Sequence, residues 1–111
     1  MKHYIRSRSL DAFPDGTGTI GIHFEIASYE DLLRLGATCI RIYRDTGALI
    51  YTLWNTEHVF KDMVASDVRE HSLSLKVHVD PGRYYVLINF YAKNRDGSES
   101  VLVRSEPVEI E

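Results

Sequence analysis

The chain has 111 residues, with 13 Lys and Arg against 16 Asp and Glu, and a formal net charge of −3. This length is close to the commonest size of one domain, and 44% hydrophobic with 26% charged residues is an ordinary globular composition, which excludes a disordered chain and a fibre. The slightly acidic balance favours no nucleic-acid partner, and the single cysteine allows no internal disulfide. We therefore expect one domain over residues 1–111, stabilised by packing alone.

Apolar and polar residues alternate along most of the chain, which predicts half-buried strands in antiparallel sheets. In chain order the seven predicted strands cover residues 4–9, 20–26, 40–42, 49–53, 73–79, 84–92 and 101–103. Turn residues such as the Pro-Gly pair within 80–82 separate these runs. The pattern predicts an all-β fold, a seven-stranded antiparallel β-sandwich. Its expected interior includes Phe24, Ile42, Leu75 and Phe90.

One early segment departs from this alternation and has helical signals. Ser28 is placed as an N-cap, Asp31 lies in the region of a capping box, and Gly36 is placed as a stop. These residues predict a short helical connector over residues 28–35.

Two later segments also interrupt the strands. Residues 56–69 are the least periodic part of the chain and predict an irregular crossover with a short turn near 60–64. Pro107 falls late in the last strand, where a missing N–H is tolerated only at an edge or a bulge, so we expect the strand to end or switch there.

The segment 80–98 combines a Pro-Gly turn, a tyrosine pair, alternating apolar residues, an alanine and a Gly-Ser hairpin loop. It resembles the sixth strand of a fibronectin type III or related immunoglobulin-like domain. That resemblance implies a tyrosine corner, in which a buried tyrosine hydroxyl bonds nearby backbone. We assign this role to Tyr84, which shares the inward parity of its strand, although Tyr85 fits the usual spacing from Pro81 slightly better. Phe24 departs from the pattern, because typical fibronectin type III domains carry a core tryptophan there.

Further motifs along the chain carry a second resemblance. They are Gly18-Thr19-Ile20 before Phe24, Leu35-Gly36-Ala37, Ile40-Arg41-Ile42-Tyr43, Asp45-Thr46-Gly47 and Phe90-Tyr91-Ala92-Lys93-Asn94. The chain is similar to a group of small single-domain proteins secreted by Gram-positive bacteria, which implies an extracellular, immunoglobulin-like module and no particular activity. Its start lacks the apolar segment of a signal peptide. We therefore expect a secreted or cell-surface protein given without that peptide, or a cytoplasmic one if Met1 is the native start.

The sequence contains no recognisable catalytic constellation. The five histidines are His3, His23, His58, His71 and His78. No pair has the local spacing of a zinc site, and although neighbouring strands would allow His23 and His78 to approach, solvated surface residues are the favoured interpretation. Cys39 has outward parity beside Arg41, which is expected to lower its pKa slightly, but no positioned base accompanies it. We expect no enzyme activity, no cofactor and no metal.

The candidate binding site is an outward-facing set of aromatic and arginine residues on the sheet of the third, fourth, sixth and seventh strands. Its predicted members are Arg41, Tyr43, Tyr85, Leu87, Tyr91 and Arg104, with Asn89 and Leu102 beside them and Trp54 and Ile50 joining from the fourth strand. Aromatic and arginine side chains are enriched at protein interfaces. The alternative is cross-strand pairing, in which exposed tyrosines stabilise the sheet by stacking on their neighbours.

The sequence thus predicts a non-enzymatic extracellular or cell-surface module that binds a protein or a glycan through this face. The alternative is a structural or self-associating domain with no separate ligand, joined for example through an edge strand. We expect no nucleic-acid partner and no membrane insertion, because the apolar runs are too short for a span. The expected state is a monomer or a weak homodimer.

Overall fold

A computed structural model describes residues 3–111, in which nine β-strands hold most of the chain. In chain order they are β1 Ile5–Pro14, β2 Thr19–Leu32, β3 Arg34–Arg44, β4 Leu49–Trp54, β5 Val64–Ala65, β6 Val68–His78, β7 Gly82–Asn94, β8 Gly97–Arg104 and β9 Val108–Ile110. A 3-10 helix, His58–Met63, follows β4. Met1 and Lys2, which the single-domain prediction includes, lie outside the described residues. Across residues 3–111, no helix is both long and apolar enough to span a membrane.

The strands form two antiparallel sheets. One has the order β1-β2-β6, and the other has the order β4-β3-β7-β8, with β5 paired to β3 and β9 paired to β7. The predicted all-β architecture of antiparallel sheets is confirmed. The described part of the chain has nine strands where seven were predicted, because β5 and β9 are two- and three-residue pieces too short to show alternation.

The two sheets meet through the apolar sides of β2 and β7. The rings of Phe24 and Phe90 pack edge to face, with centroids 5.8 Å apart and planes at 76°. The largest fully buried side chains are Tyr84, Phe24, Phe90, Ile20, Ile22, Leu32, Leu35, Ile40, Ile42, Met63, Ile88 and Ile110. Leu75, expected in the interior, is only partly buried, because β6 is an edge strand of the smaller sheet.

The predicted helical connector over residues 28–35 is wrong. Strand β2 runs through this segment to Leu32, and β3 begins at Arg34 after a bend at one residue. The Ser28 hydroxyl does not cap a helix; it lies 2.5 Å from the carbonyl oxygen of Glu30 and 3.0 Å from that of Arg69. It thereby holds the irregularity where the pairing of β2 with β6 shifts register. Strand pairing overrides the local capping signals here, because the residue types that favour a helix N-cap also favour turns and bulges.

The two other predicted interruptions agree with the structure. Residues 56–69 contain the 3-10 helix and β5, so the irregular crossover has its short turn of helix where one was predicted. Pro107 lies between β8, which ends at Arg104, and β9, which begins at Val108. Proline therefore stands in the gap between two strands, where its missing N–H breaks no ladder bond.

Gly36 has a different role from the predicted helix stop. It lies within β3 opposite Val64 of β5, and a Cβ built at this position would overlap the carbonyl oxygen of Met63. The absence of a side chain is what lets the end of the 3-10 helix and β5 approach β3 closely.

We expect Gly36→Ala to lower the free energy of unfolding by about 3 kcal/mol, the upper end for overpacking, because the clash is with backbone and not with a flexible side chain. Chemical denaturation measures this loss. Gly47→Ala is the matched control: its methyl would meet open space, and only a φ of +96° opposes it, at about 1 kcal/mol. Equal losses at the two positions would contradict the steric argument.

Candidate functional site

The register of the larger sheet brings the predicted binding residues onto one surface, apart from Ile50, which falls at a register shift in β4 and packs against the hydrophobic core. We define the aromatic face as the outward side chains Arg41, Tyr43, Trp54, Tyr85, Leu87, Asn89, Tyr91, Leu102 and Arg104. Inward neighbours on β7, from Tyr84 to Phe90, are fully buried at every second position, and the residues between them are half-buried. The alternation of β7 therefore separates core from face as predicted.

Three members of the face form a continuous stack across three strands. The rings of Tyr43 and Tyr85 lie parallel, with centroids 5.1 Å apart and planes at 12°. The guanidinium of Arg104 lies 3.9 Å from the centroid of the Tyr85 ring. Because β7 lies between β3 and β8, the two neighbours approach Tyr85 from opposite sides and cover both faces of its ring.

A second cation–π contact lies towards the β4 edge of the same face. The guanidinium of Arg41 is 5.7 Å from the centroid of the Trp54 ring. Trp54 keeps 44% of its surface exposed, and Leu102, near the opposite edge, keeps 61%. Leu87 is paired with Arg41 on one side and with Arg104 on the other. The face therefore has the half-buried Leu87 between two positive charges and exposed apolar groups towards its edges, and none of its nine residues is acidic.

Cys39 also has outward parity, but it is buried rather than exposed. It lies between Trp54 of β4 and Asn89 of β7 in the sheet register. Burial raises the pKa of its thiol, and the nearby charge of Arg41 only partly offsets that rise. The expected lowering of the Cys39 pKa is therefore wrong, because desolvation of a thiolate outweighs one partly exposed cation.

Tyr84 and Tyr85 have opposite environments. Tyr84 is fully buried, its hydroxyl donates to the carbonyl oxygen of Asp80 at 2.5 Å, and the guanidinium of Arg44 lies 5.1 Å from its ring centroid. Tyr85 belongs to the stack on the aromatic face. Only Tyr84 has the burial and the upstream backbone bond that a tyrosine corner requires.

Replacing Tyr84 by Phe removes this hydroxyl bond while keeping the ring, so we expect a loss of about 1 kcal/mol in the free energy of unfolding. Urea denaturation of the variant measures the loss. Tyr85→Phe removes a hydroxyl from the half-buried face and serves as the control, with a change near zero. A larger loss at Tyr85 than at Tyr84 would argue against this difference between the two tyrosines.

The histidines are not brought together. His78 lies opposite Thr19 and His23 lies opposite Ser74, four pairs further along the same ladder. Each ring instead contacts the hydroxyl across from it: His23 Nδ1 is 2.7 Å from Ser74 Oγ, and His78 Nδ1 is 3.2 Å from Thr19 Oγ1. The suggested approach of His23 to His78 is wrong. Among residues 3–111, no three His, Cys, Asp or Glu side chains lie close enough to share a metal ion.

The sequence did not indicate the groove on the outer side of the smaller sheet. It has a volume of about 720 Å³ and is lined by Arg6, Ser7, Arg8, Ser9, Glu25, Ile26, Ala27, Glu70, His71 and Ser72. It exists because short side chains on β2 and β6 lie between longer charged ones. Arg6 and Glu70 form an ion pair of 3.8 Å across it, so much of its charge is already matched within the chain.

Sequence patterns also did not indicate that the carboxylate of Glu99, on β8, accepts hydrogen bonds from the backbone at the start of β1. Glu99 accepts hydrogen bonds from the backbone N–H of Tyr4 at 3.0 Å and of Ile5 at 2.8 Å, and His3 Nδ1 lies 2.8 Å from its other oxygen. Burial alone would raise the pKa of Glu99, but the hydrogen bonds from His3, Ile5 and Tyr4 outweigh burial and lower it.

A lowered pKa means that the folded state holds the Glu99 carboxylate more strongly than the unfolded state does. The stabilisation is therefore complete above the ordinary carboxyl pKa of 4.5 and is lost as the pH falls through the lowered value. We expect Glu99→Gln to destabilise the protein by about 1 kcal/mol at neutral pH. In thermal melts from pH 7 down to pH 2, the gap between variant and wild type should close. A gap that stays constant with pH would contradict the role of the carboxylate.

No protein-family model matches the chain, and no curated protein is significantly similar to it in sequence. The aromatic face is therefore the feature from which a function is inferred.

Proposed function

We propose that the chain is a non-enzymatic binding module of the fibronectin type III or immunoglobulin-like class, secreted or displayed at a cell surface, which holds a protein partner against the aromatic face. The observation that carries this proposal is a contiguous set of aromatic, aliphatic and arginine side chains without a carboxylate among them. Residues of these types dominate the energetics of protein interfaces. Exposed apolar patches of this kind commonly mark interaction sites.

The proposed class rests on strand order and on Tyr84. Strands β1, β2 and β6 in one sheet, with β3, β7 and β8 in the other, fit the division of strands A, B, E and C, F, G in immunoglobulin-like sandwiches. Strand β4 adds to the edge beside β3. The buried Tyr84 hydroxyl, bonded to a carbonyl four residues upstream, fits the tyrosine corner of that class. The resemblance to secreted bacterial modules supports the extracellular location.

The covered faces of the stack favour a protein over a glycan. A sugar ring stacks on an open aromatic face, but both faces of Tyr85 are already occupied by Tyr43 and Arg104. Trp54 and Leu102 are the exposed apolar members of the face, and Leu102 is aliphatic. Aliphatic groups gain most from burial against other apolar side chains, which a protein surface supplies.

The competing interpretation is that the stack serves only the sheet. Aromatic pairs across strands contribute about 0.5–1.5 kcal/mol beyond their buried area, so Tyr43 and Tyr85 would be useful without any ligand. Leu102 separates the two interpretations. Its side chain is mostly exposed, so it adds little to the stability of the sheet but would be buried by a partner bound to the face.

Leu102→Glu therefore tests the proposal. Immobilised wild-type protein, Leu102→Glu and Val59→Glu are each incubated with surface proteins of the producing organism and, separately, with a glycan array. We expect wild type to retain a protein that Leu102→Glu loses at least tenfold, because a carboxylate replaces an apolar contact. Val59, which is 78% exposed on the 3-10 helix and off the face, should behave as wild type.

Melting temperatures make this comparison interpretable. Leu102→Glu should melt close to wild type, whereas Tyr43→Ala should melt lower because it breaks the stack. If the retained protein binds Leu102→Glu and wild type equally, the aromatic face is not the binding surface. Retention of glycans alone would replace the protein partner by a glycan.

A further inference from the structure

Among residues 3–111, the edge strands longer than three residues are β1, β4, β6 and β8, since the short β5 and β9 pair beside β3 and β7. Of these four, only β4 lacks charged residues. Strands β1, β6 and β8 contain Arg6, Arg8 and Asp11; Arg69, Glu70 and Lys76; and Glu99 and Arg104, respectively. Strand β4, with the sequence Leu-Ile-Tyr-Thr-Leu-Trp, has no charge and no proline. Charges and prolines on edge strands are the usual protection against pairing with another chain, and β4 has neither.

The outer side of β4 also has backbone groups directed at solvent. The N–H of Asn55 donates to the carbonyl oxygen of Thr38 at 3.1 Å, which fixes the alternation of the ladder: Tyr51 and Leu53 bond to β3, and Thr52 points away from it. In the described part of the chain, no strand pairs with this outer side. Trp54 is the next residue whose backbone groups point away from β3, but Glu57 already contacts both. The N–H of Glu57 donates to the carbonyl oxygen of Trp54 at 3.1 Å, and its carboxylate lies 3.5 Å from the backbone nitrogen of Trp54.

Apolar side chains accompany these free backbone groups. Leu49 is 52% exposed and Tyr51 is 43% exposed, although Tyr51 lies opposite the buried Ile42 of β3 and so has inward parity. Leu49 lies opposite Tyr43 and so has outward parity. Exposed apolar side chains on both sides of β4 therefore accompany its open edge.

We propose that a second copy of the chain pairs with β4 in antiparallel orientation, about a two-fold axis beside Thr52. In this register the N–H and C=O of Thr52 bond those of its mate. Tyr51 then lies opposite Leu53 of the second copy, and Ile50 lies opposite its Trp54. Every cross-strand pair next to the axis is apolar, and no like charges meet, so one patch complements itself as a two-fold dimer requires.

Pairing through the aromatic faces is a poorer alternative for self-association. Two such faces would bring Arg41 and Arg104 of each copy together with no carboxylate from either face between them, and like charges repel. Edge pairing about an axis normal to the sheet instead leaves both aromatic faces exposed on the same side. The dimer does not depend on the proposed binding function, since it needs only β4.

The pairing is expected to be weak. A six-residue edge buries much less than the roughly 1,200–2,000 Å² of a standard stable complex, and we expect a dissociation constant on the order of 100 μM. Sedimentation equilibrium of the full chain, over concentrations on both sides of that value, measures it directly without any other ligand.

Two variants of β4 test the interface. Thr52→Pro removes the outward N–H without taking a bond from β3, a position where an edge strand tolerates proline. Leu49→Lys places a charge on the edge. Each should raise the dissociation constant at least tenfold. If circular dichroism shows that Thr52→Pro does not fold, Leu49→Lys alone tests the interface. Val59→Lys, which charges an exposed apolar residue outside β4, should leave the constant unchanged.

A wild-type chain that remains monomeric throughout the range would overturn the proposal, and so would a dimer that neither β4 variant weakens. Pairing of β4 with a strand of another protein would give the first of these results. If the chain is monomeric but Leu102→Glu abolishes partner retention, the dimer is refuted and the binding function stands. Conversely, if the chain dimerises through β4 but wild type retains no partner, the binding function is refuted and the dimer stands.

Discussion

The contact between Phe24 and Phe90 is the constraint on which the other features depend. It joins the central strands of the two sheets, and the alternation of β2 and β7 around it determines which side chains face inward. Because a strand has a period of two, fixing the inward side of β7 also fixes Tyr85, Leu87 and Tyr91 on the outside. The hydrophobic core and the aromatic face are therefore two consequences of one register.

Alternation over several residues allowed the fold to be predicted, and local signals alone did not. In the run 84–92, the inward-facing and outward-facing residues are those that the sequence predicted, because apolar residues recur at every second position along the strand. Ser28 and Gly36 were misread because one residue carries little information about its tertiary neighbours. Ser28 bonds a carbonyl of β6 and Gly36 makes room for Met63, and both partners are distant in sequence.

The same distinction applies to the candidate site. Parity placed the tyrosines and arginines on one surface, but their contacts depend on register: Tyr43 lies directly opposite Tyr85, whereas the arginines reach their aromatic partners diagonally. A register shift between Ala37 and Cys39 interrupts the pairing of β3 with β7, and no sequence pattern indicated it. The burial of Cys39 and the hydrogen bonds to Glu99 are likewise products of strand placement.

The internal contacts of the aromatic face need not compete with binding. Tyr43 and Arg104 restrict Tyr85 from both sides, so its ring would lose little side-chain freedom on binding, which lowers the entropic cost of association. Cation–π contacts likewise orient Arg41 and Arg104 while their charges remain without an acidic neighbour on the face. Stacking therefore restricts the side chains of the face. The charges of Arg41 and Arg104 oppose the pairing of two aromatic faces, whereas pairing through β4 meets no such repulsion because that strand has no charge.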